Sequence, residues 1–97
     1  MRDIDRIKHL LASHKMELRE EFKVRDIGVF GSYIRGEQRK ASDIDILVEF
    51  AEPVGLFTFL ALEDYLSELL GLNVDLVSKK ALKPHIGKRV LKEVVYV

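Results

Sequence analysis

The chain has 97 residues, 47% hydrophobic and 33% charged, with a formal net charge of zero and no cysteine. That length suits one domain around one core, and the missing cysteines exclude a disulfide framework or a cysteine-built metal site. No apolar stretch reaches the roughly 20 residues of a membrane span and no signal-peptide core opens the chain. A cytoplasmic protein with no membrane partner is therefore expected, and the zero net charge argues against direct nucleic-acid binding.

Residues 3 to 21 carry apolar side chains at Ile4, Ile7, Leu10, Leu11 and Leu18, which predicts one amphipathic helix. Ile27 to Phe30 reads as a short strand that ends at Gly31. Ser32 to about Gln38 is predicted as a helical turn with Ser32 near its amino end. Gly36 and the polar run from Glu37 to Lys40 lead into a loop. Asp43 to Phe50 is a second strand, and Pro53 and Gly55 punctuate the loop after it. Leu56 to Leu70 reads as a helix capped by Gly71. Asn73 to Val77 is a third strand, and Pro84 opens a last helix running to about Glu93. Val94 to Val97 is that helix's end or a short edge strand. The order predicts an α/β (α+β) fold of two layers, a small mixed β-sheet flanked by helices. The loop between the first two strands is too short for a full crossover, so those strands are expected to be antiparallel.

Charge is unevenly placed along this frame. Between Ala41 and Ser78 there are eight acids and no Lys or Arg, whereas Lys79 to Glu93 holds six basic residues against one acid. Most of these are read as solvated surface charge. Two of the acids are harder to dismiss. Asp43 and Asp45 sit one residue apart at the start of an apolar strand, so their side chains share a face, with Cα atoms about 6.6 Å apart. Ile44, Ile46 and Val48 take the opposite face. Two ionised carboxylates on one face repel, and a hard cation such as Mg²⁺ between them removes that penalty. The plainer alternative is a pair of acids facing water at a strand end. A third aspartate, Asp75, stands between Val74 and Leu76, where strand propensity gives no reason for it. If its strand lies beside the second, three carboxylates share one face and suffice for two metals and phosphoryl transfer. Gly31 permits a tight turn, and Ser32 offers a hydroxyl and an N–H to a phosphate.

Gly31-Ser32, Arg35-Gly36, Ser42-Asp43-Ile44-Asp45-Ile46-Leu47-Val48 and Val74-Asp75-Leu76-Val77 together resemble the minimal nucleotidyltransferases of the DNA polymerase β superfamily. The likeness extends over nearly the whole chain, so 1–97 is expected to be a single minimal nucleotidyltransferase domain with the polymerase β-like fold. It implies Asp43 and Asp45 as ligands of Mg²⁺, with two ions, and Asp75 as a third ligand that helps activate the acceptor. It implies Gly31 and Ser32 as binders of the phosphates of a nucleoside triphosphate. It also implies a partner, a HEPN-type toxin silenced by transfer of AMP from ATP to a tyrosine hydroxyl, with this chain as the antitoxin. Two alternatives stand beside it: an antitoxin that blocks its partner by occlusion without chemistry, and a transferase acting on RNA or a small molecule.

Other residues are weighed lower. Arg35 is read as a triphosphate contact or, equally, a surface ion-pair partner. Arg39 and Lys40 are read as solvated loop charge. The cluster from Lys79 to Lys92 reads as surface charge with a lesser claim on anions. His9, His14 and His85 lack metal-ligand spacing, and Tyr33, Tyr65 and Tyr96 are read as core or interface packing. Apolar residues near the termini leave room for a homo-oligomeric interface.

Overall fold

The computed structural model describes residues 3–39 and 42–97; Lys40, expected as a loop cation, lies outside them. Its elements are α1 (Asp3–Ser13), α2 (Lys15–Phe22), β1 (Val24–Phe30), α3 (Ser32–Arg35), β2 (Ile44–Phe50), α4 (Leu56–Leu70), β3 (Val74–Ser78), α5 (Pro84–Glu93) and β4 (Val95–Tyr96), with a 3₁₀ turn at Lys79–Ala81. The strands form one mixed sheet in the order β3-β2-β1-β4. β1 runs antiparallel to β2 and β4, while β2 and β3 are parallel and joined by the α4 crossover. The expected fold class is thus the one observed, a mixed sheet flanked by helices.

One face of the sheet meets the helices. Ile44, Ile46 and Val48 of β2 are fully buried there, packed with Ile7 and Leu11 of α1, Leu18 of α2, and Leu62, Leu66 and Leu70 of α4. Burial of that many Leu, Ile and Val side chains, at about 1.5–3 kcal/mol each, is the main source of stability. The period-2 alternation of β2 then sends Asp45 to the other face. α4 ends where Gly71 takes the left-handed conformation at φ 66°, as its place after Leu70 predicts. The same helix guards the outer edge of β3: Glu63 accepts a hydrogen bond from the Leu76 N–H at 3.0 Å, and Ser67 Oγ accepts one from the Val74 N–H at 3.2 Å. Those two donors are thereby taken from the edge that another chain would pair with.

Two expectations are corrected. The single helix over residues 3 to 21 is two helices that break at His14, where φ is −110° and ψ is 14°. Ser13 Oγ bonds the His9 carbonyl at 2.8 Å and His14 Nδ1 bonds the Leu10 carbonyl at 2.8 Å. Such local bonds compete with continuation of the helix. Between Leu11 and Leu18 no side chain is buried to hold the helix straight. The first strand begins at Val24, three residues before the apolar run suggests, because Val24 and Asp26 pair with Phe50 and Glu49 of β2. Pairing partners 23 residues or more away carry that assignment, and local propensity does not.

Candidate active site

The site is built at the carboxyl end of β1 and the amino ends of β2 and β3. Register places Phe30 opposite Asp45 on one side of β2 and Asp75 opposite Asp45 on the other. Paired residues of adjacent strands project to the same face about 4.8 Å apart. The parallel pairing of β2 with β3 therefore sets Asp75 on the face of Asp45. Asp43 lies just before β2, where the Asn73 side-chain amide donates to its Oδ1 at 2.9 Å and the Ile44 N–H donates to the Asn73 carbonyl at 3.0 Å. These two bonds stitch the starts of the strands together and set the carboxylates relative to one another.

Gly31 carries the turn from β1 into α3 with φ 79° and ψ −153°, a region open in practice only to glycine. Space makes the same demand. Gly31 is buried, and a Cβ there would overlap Oδ2 of Asp45. Asp45 thus rests against bare backbone. Ser32 follows, half-buried, as the first residue of α3. Tyr33 is buried in the core, as its packing role predicts, and its hydroxyl reaches the Ser42 carbonyl at 3.5 Å.

Asp45 is the electrostatic centre of the cluster. Burial, then the carboxylates of Asp75 and Asp43, push its carboxyl above the ordinary aspartate range, with Glu93 adding to the push and Arg35 opposing it. Among the described residues, no three His, Cys, Asp or Glu side chains are gathered closely enough to form a ready metal cage. The donor chemistry nonetheless fits Mg²⁺. That ion characteristically takes one or two carboxylates and completes its shell with waters and substrate phosphates. A divalent cation would also relieve the like-charge crowding at Asp45.

Sequence reasoning did not single out Glu93, which the structure brings into the site from the last turn of α5. Glu93 Oε2 accepts a hydrogen bond from the Gly31 N–H at 2.9 Å, and its Oε1 pairs with Arg35 Nη1. Arg35 Nε also binds Glu37 Oε2 at 3.0 Å. Partial burial works against a charged Glu93, but Arg35 and the Gly31 N–H outweigh it and hold the carboxyl below its usual range. No local pattern marks Glu93, since Gly31 is 62 residues away in sequence. Of the remaining cations considered, Lys79 pairs with Glu49 Oε2 at 3.0 Å, and Arg39 holds Ser42 Oγ through its backbone N–H at 2.7 Å. His9, His14 and His85 join no metal-competent group among the described residues.

Comparison with known proteins gives a consistent result. A family model for the nucleotidyltransferase domain matches residues 11–97. The protein adenylyltransferase MntA of Thermococcus cleftensis is 58% identical over 97 residues, spanning 100% of this chain and 98% of its own. A solved structure provisionally assigned as a minimal nucleotidyltransferase is 36% identical with a TM-score of 0.75, covering 92% of this chain and 93% of the other. A toxin–antitoxin crystallised with AMP-PNP is 28% identical with a TM-score of 0.71, covering 87% of this chain and 69% of the other.

Proposed function

The chain belongs to the nucleotidyltransferase domain family, and from that premise we propose that it is an antitoxin that transfers AMP from ATP to a hydroxyl, a tyrosine's, on a HEPN-type toxin. The observation that carries this reading is the carboxylate cluster: Asp45 paired in register with Asp75, preceded by Asp43, and seated against Gly31. The relative named a protein adenylyltransferase supports the reaction class, and the toxin–antitoxin neighbour supports the class of partner. The reading takes 1–97 as one minimal nucleotidyltransferase domain acting in the cytoplasm. No helix of the described residues is long and apolar enough to cross a membrane.

In this mechanism the triphosphate lies along the Gly31–Ser32 turn. The Ser32 hydroxyl and backbone N–H groups hold its phosphate oxygens, and Arg35 reaches them from the end of α3. Asp43, Asp45 and Asp75 are the residues that would hold Mg²⁺. Two such ions, when bound, neutralise phosphate charge and make the acceptor hydroxyl easier to deprotonate. The acceptor oxygen attacks the α-phosphorus in line and forms a new P–O bond. The bond from the α-phosphorus to the bridging oxygen breaks, and pyrophosphate leaves with that electron pair. Asp75, exposed at the mouth of the site, accepts the hydroxyl proton. Positioning and charge neutralisation supply most of the rate.

Incubation with labelled ATP, Mg²⁺ and the product of the neighbouring gene tests the proposal. Label is expected on the toxin, and Asp43→Asn/Asp45→Asn is expected to lower transfer by about a hundredfold or more. Undiminished transfer by that variant would sink the mechanism. Toxin neutralisation in cells by the inactive variant would favour occlusion instead.

A further inference from the structure

Two donors of the turn and helix that the reading gives to the triphosphate, the Gly31 N–H and Arg35, are already bound to an anion. That anion is the carboxylate of Glu93, with one oxygen on each group. The Glu93 side chain is 16% exposed; its bond to the Gly31 N–H is partly buried, while its pair with Arg35 lies at the surface. It is a charge-assisted arrangement of the kind an oxyanion of phosphate would make with the same donors. Both cannot hold the Gly31 N–H and the Arg35 nitrogen together. Glu93 also adds a further negative charge beside Asp43, Asp45 and Asp75, the face that must receive a polyanion.

The element that delivers Glu93 is suited to yield. α5 contributes no residue to the main core cluster, and within it only Gly87 and Val90 are buried. Elements with so little buried apolar area open at low free energy compared with the rest of a fold. Glu93 sits on its last residue, next to the two-residue strand β4.

Resting on the nucleotidyltransferase reading, we propose that Glu93 is an internal stand-in for a nucleotide phosphate, a positioning residue that keeps the Gly31–Arg35 cradle closed and is displaced when a nucleoside triphosphate binds. The device sets specificity by making weak anions poor competitors. Only a ligand that brings several phosphate oxygens, and engages the carboxylate face through Mg²⁺, repays displacement of the glutamate. The apparent affinity is accordingly lowered by the fraction of molecules in which the cradle is occupied.

The test compares ATP binding by calorimetry, with Mg²⁺, for the wild-type chain and Glu93→Gln, with thermal melting as the check on folding. Glutamine keeps the shape and loses the charge, so Glu93→Gln is expected to bind ATP about tenfold more tightly and to show a lower KM with kcat little changed. A merely structural glutamate would give the opposite sign, because losing it would loosen the turn. Equal or weaker binding by a folded Glu93→Gln overturns the proposal while leaving the transferase reading intact. Absence of ATP binding by both proteins overturns the two together. A second measurement needs no variant: in NMR titrations of the wild type with the non-hydrolysable analogue AMP-PNP, the Gly31 amide and the Glu93 side-chain carboxyl carbon must shift in step. An unmoved Glu93 carboxyl at saturation also overturns the displacement.

Discussion

Gly31 has the least latitude of the glycines. Its φ of 79° excludes comfortable residence by any L side chain, and Asp45 Oδ2 occupies the space a methyl would need. Gly31→Ala is expected to cost about 2–4 kcal/mol in urea unfolding and to lower transfer as well, because the nearest atom to give way is a carboxylate of the site. Asp45 carries the reverse relation between stability and activity. Its charged form is opposed by burial and by two neighbouring aspartates, so Asp45→Asn is expected to melt at an equal or higher temperature while transfer is lost. A clear fall in melting temperature would show that Asp45 is held by contacts that outweigh the repulsion. Glu93 has a pH signature of fixed sign. Its folded-state pKa lies below the ordinary glutamate value, so its tie to Arg35 and Gly31 is fully present above that value and is lost as pH falls through the lower one. As pH falls below the ordinary glutamate range the wild type is expected to lose more stability than Glu93→Gln, measured by denaturation at each pH.

At the scale of elements, the contrast between α4 and α5 governs what is rigid. α4 buries Leu62, Leu66 and Leu70 and clasps the β3 edge through Glu63 and Ser67. Leu66→Ala is expected to cost about 2–5 kcal/mol, and Ser67→Ala about 1 kcal/mol through the donor it leaves unmet on Val74. Hydrogen exchange should rank the helices accordingly, with α5 amides exchanging well before those of α4. Exchange of α5 as slow as α4 would contradict a yielding carrier for Glu93. α4 was legible to the residue, from Leu56 to Leu70 with its glycine cap, because its apolar period, length and terminator all agree. The α1–α2 break was not. The residues that make it, Ser13 and His14, are common within helices, and only their bonds to carbonyls four residues back reveal the interruption.

Seen as a whole, the molecule separates adhesion from chemistry by the two faces of one sheet. The helix side takes Ile44, Ile46 and Val48 of β2, and the other side takes Asp45 and Asp75, with Leu47 buried between Asp45 and Glu49. Three of the groups assembled there, Asp43, Asp45 and the Gly31 turn, lie within fifteen residues of one another, and short-range pattern is enough to suggest them. Alternation along β2 dictates that Asp45 opposes its isoleucines, so the sequence alone determined which of these residues share a face and the class of fold, a mixed sheet flanked by helices. It also held Asp75 in a suspicious place without saying where the strand would dock. Tertiary structure decided three things: that β3 lies parallel beside β2 with Asp75 level with Asp45, that β1 extends back to Val24, and that Glu93 closes on Gly31 and Arg35. The reason is the same in each case. Local sequence encodes the period and the preferred conformation of a segment, whereas strand neighbours and contacts 62 residues apart are chosen by the free energy of packing the whole chain, which no local window contains.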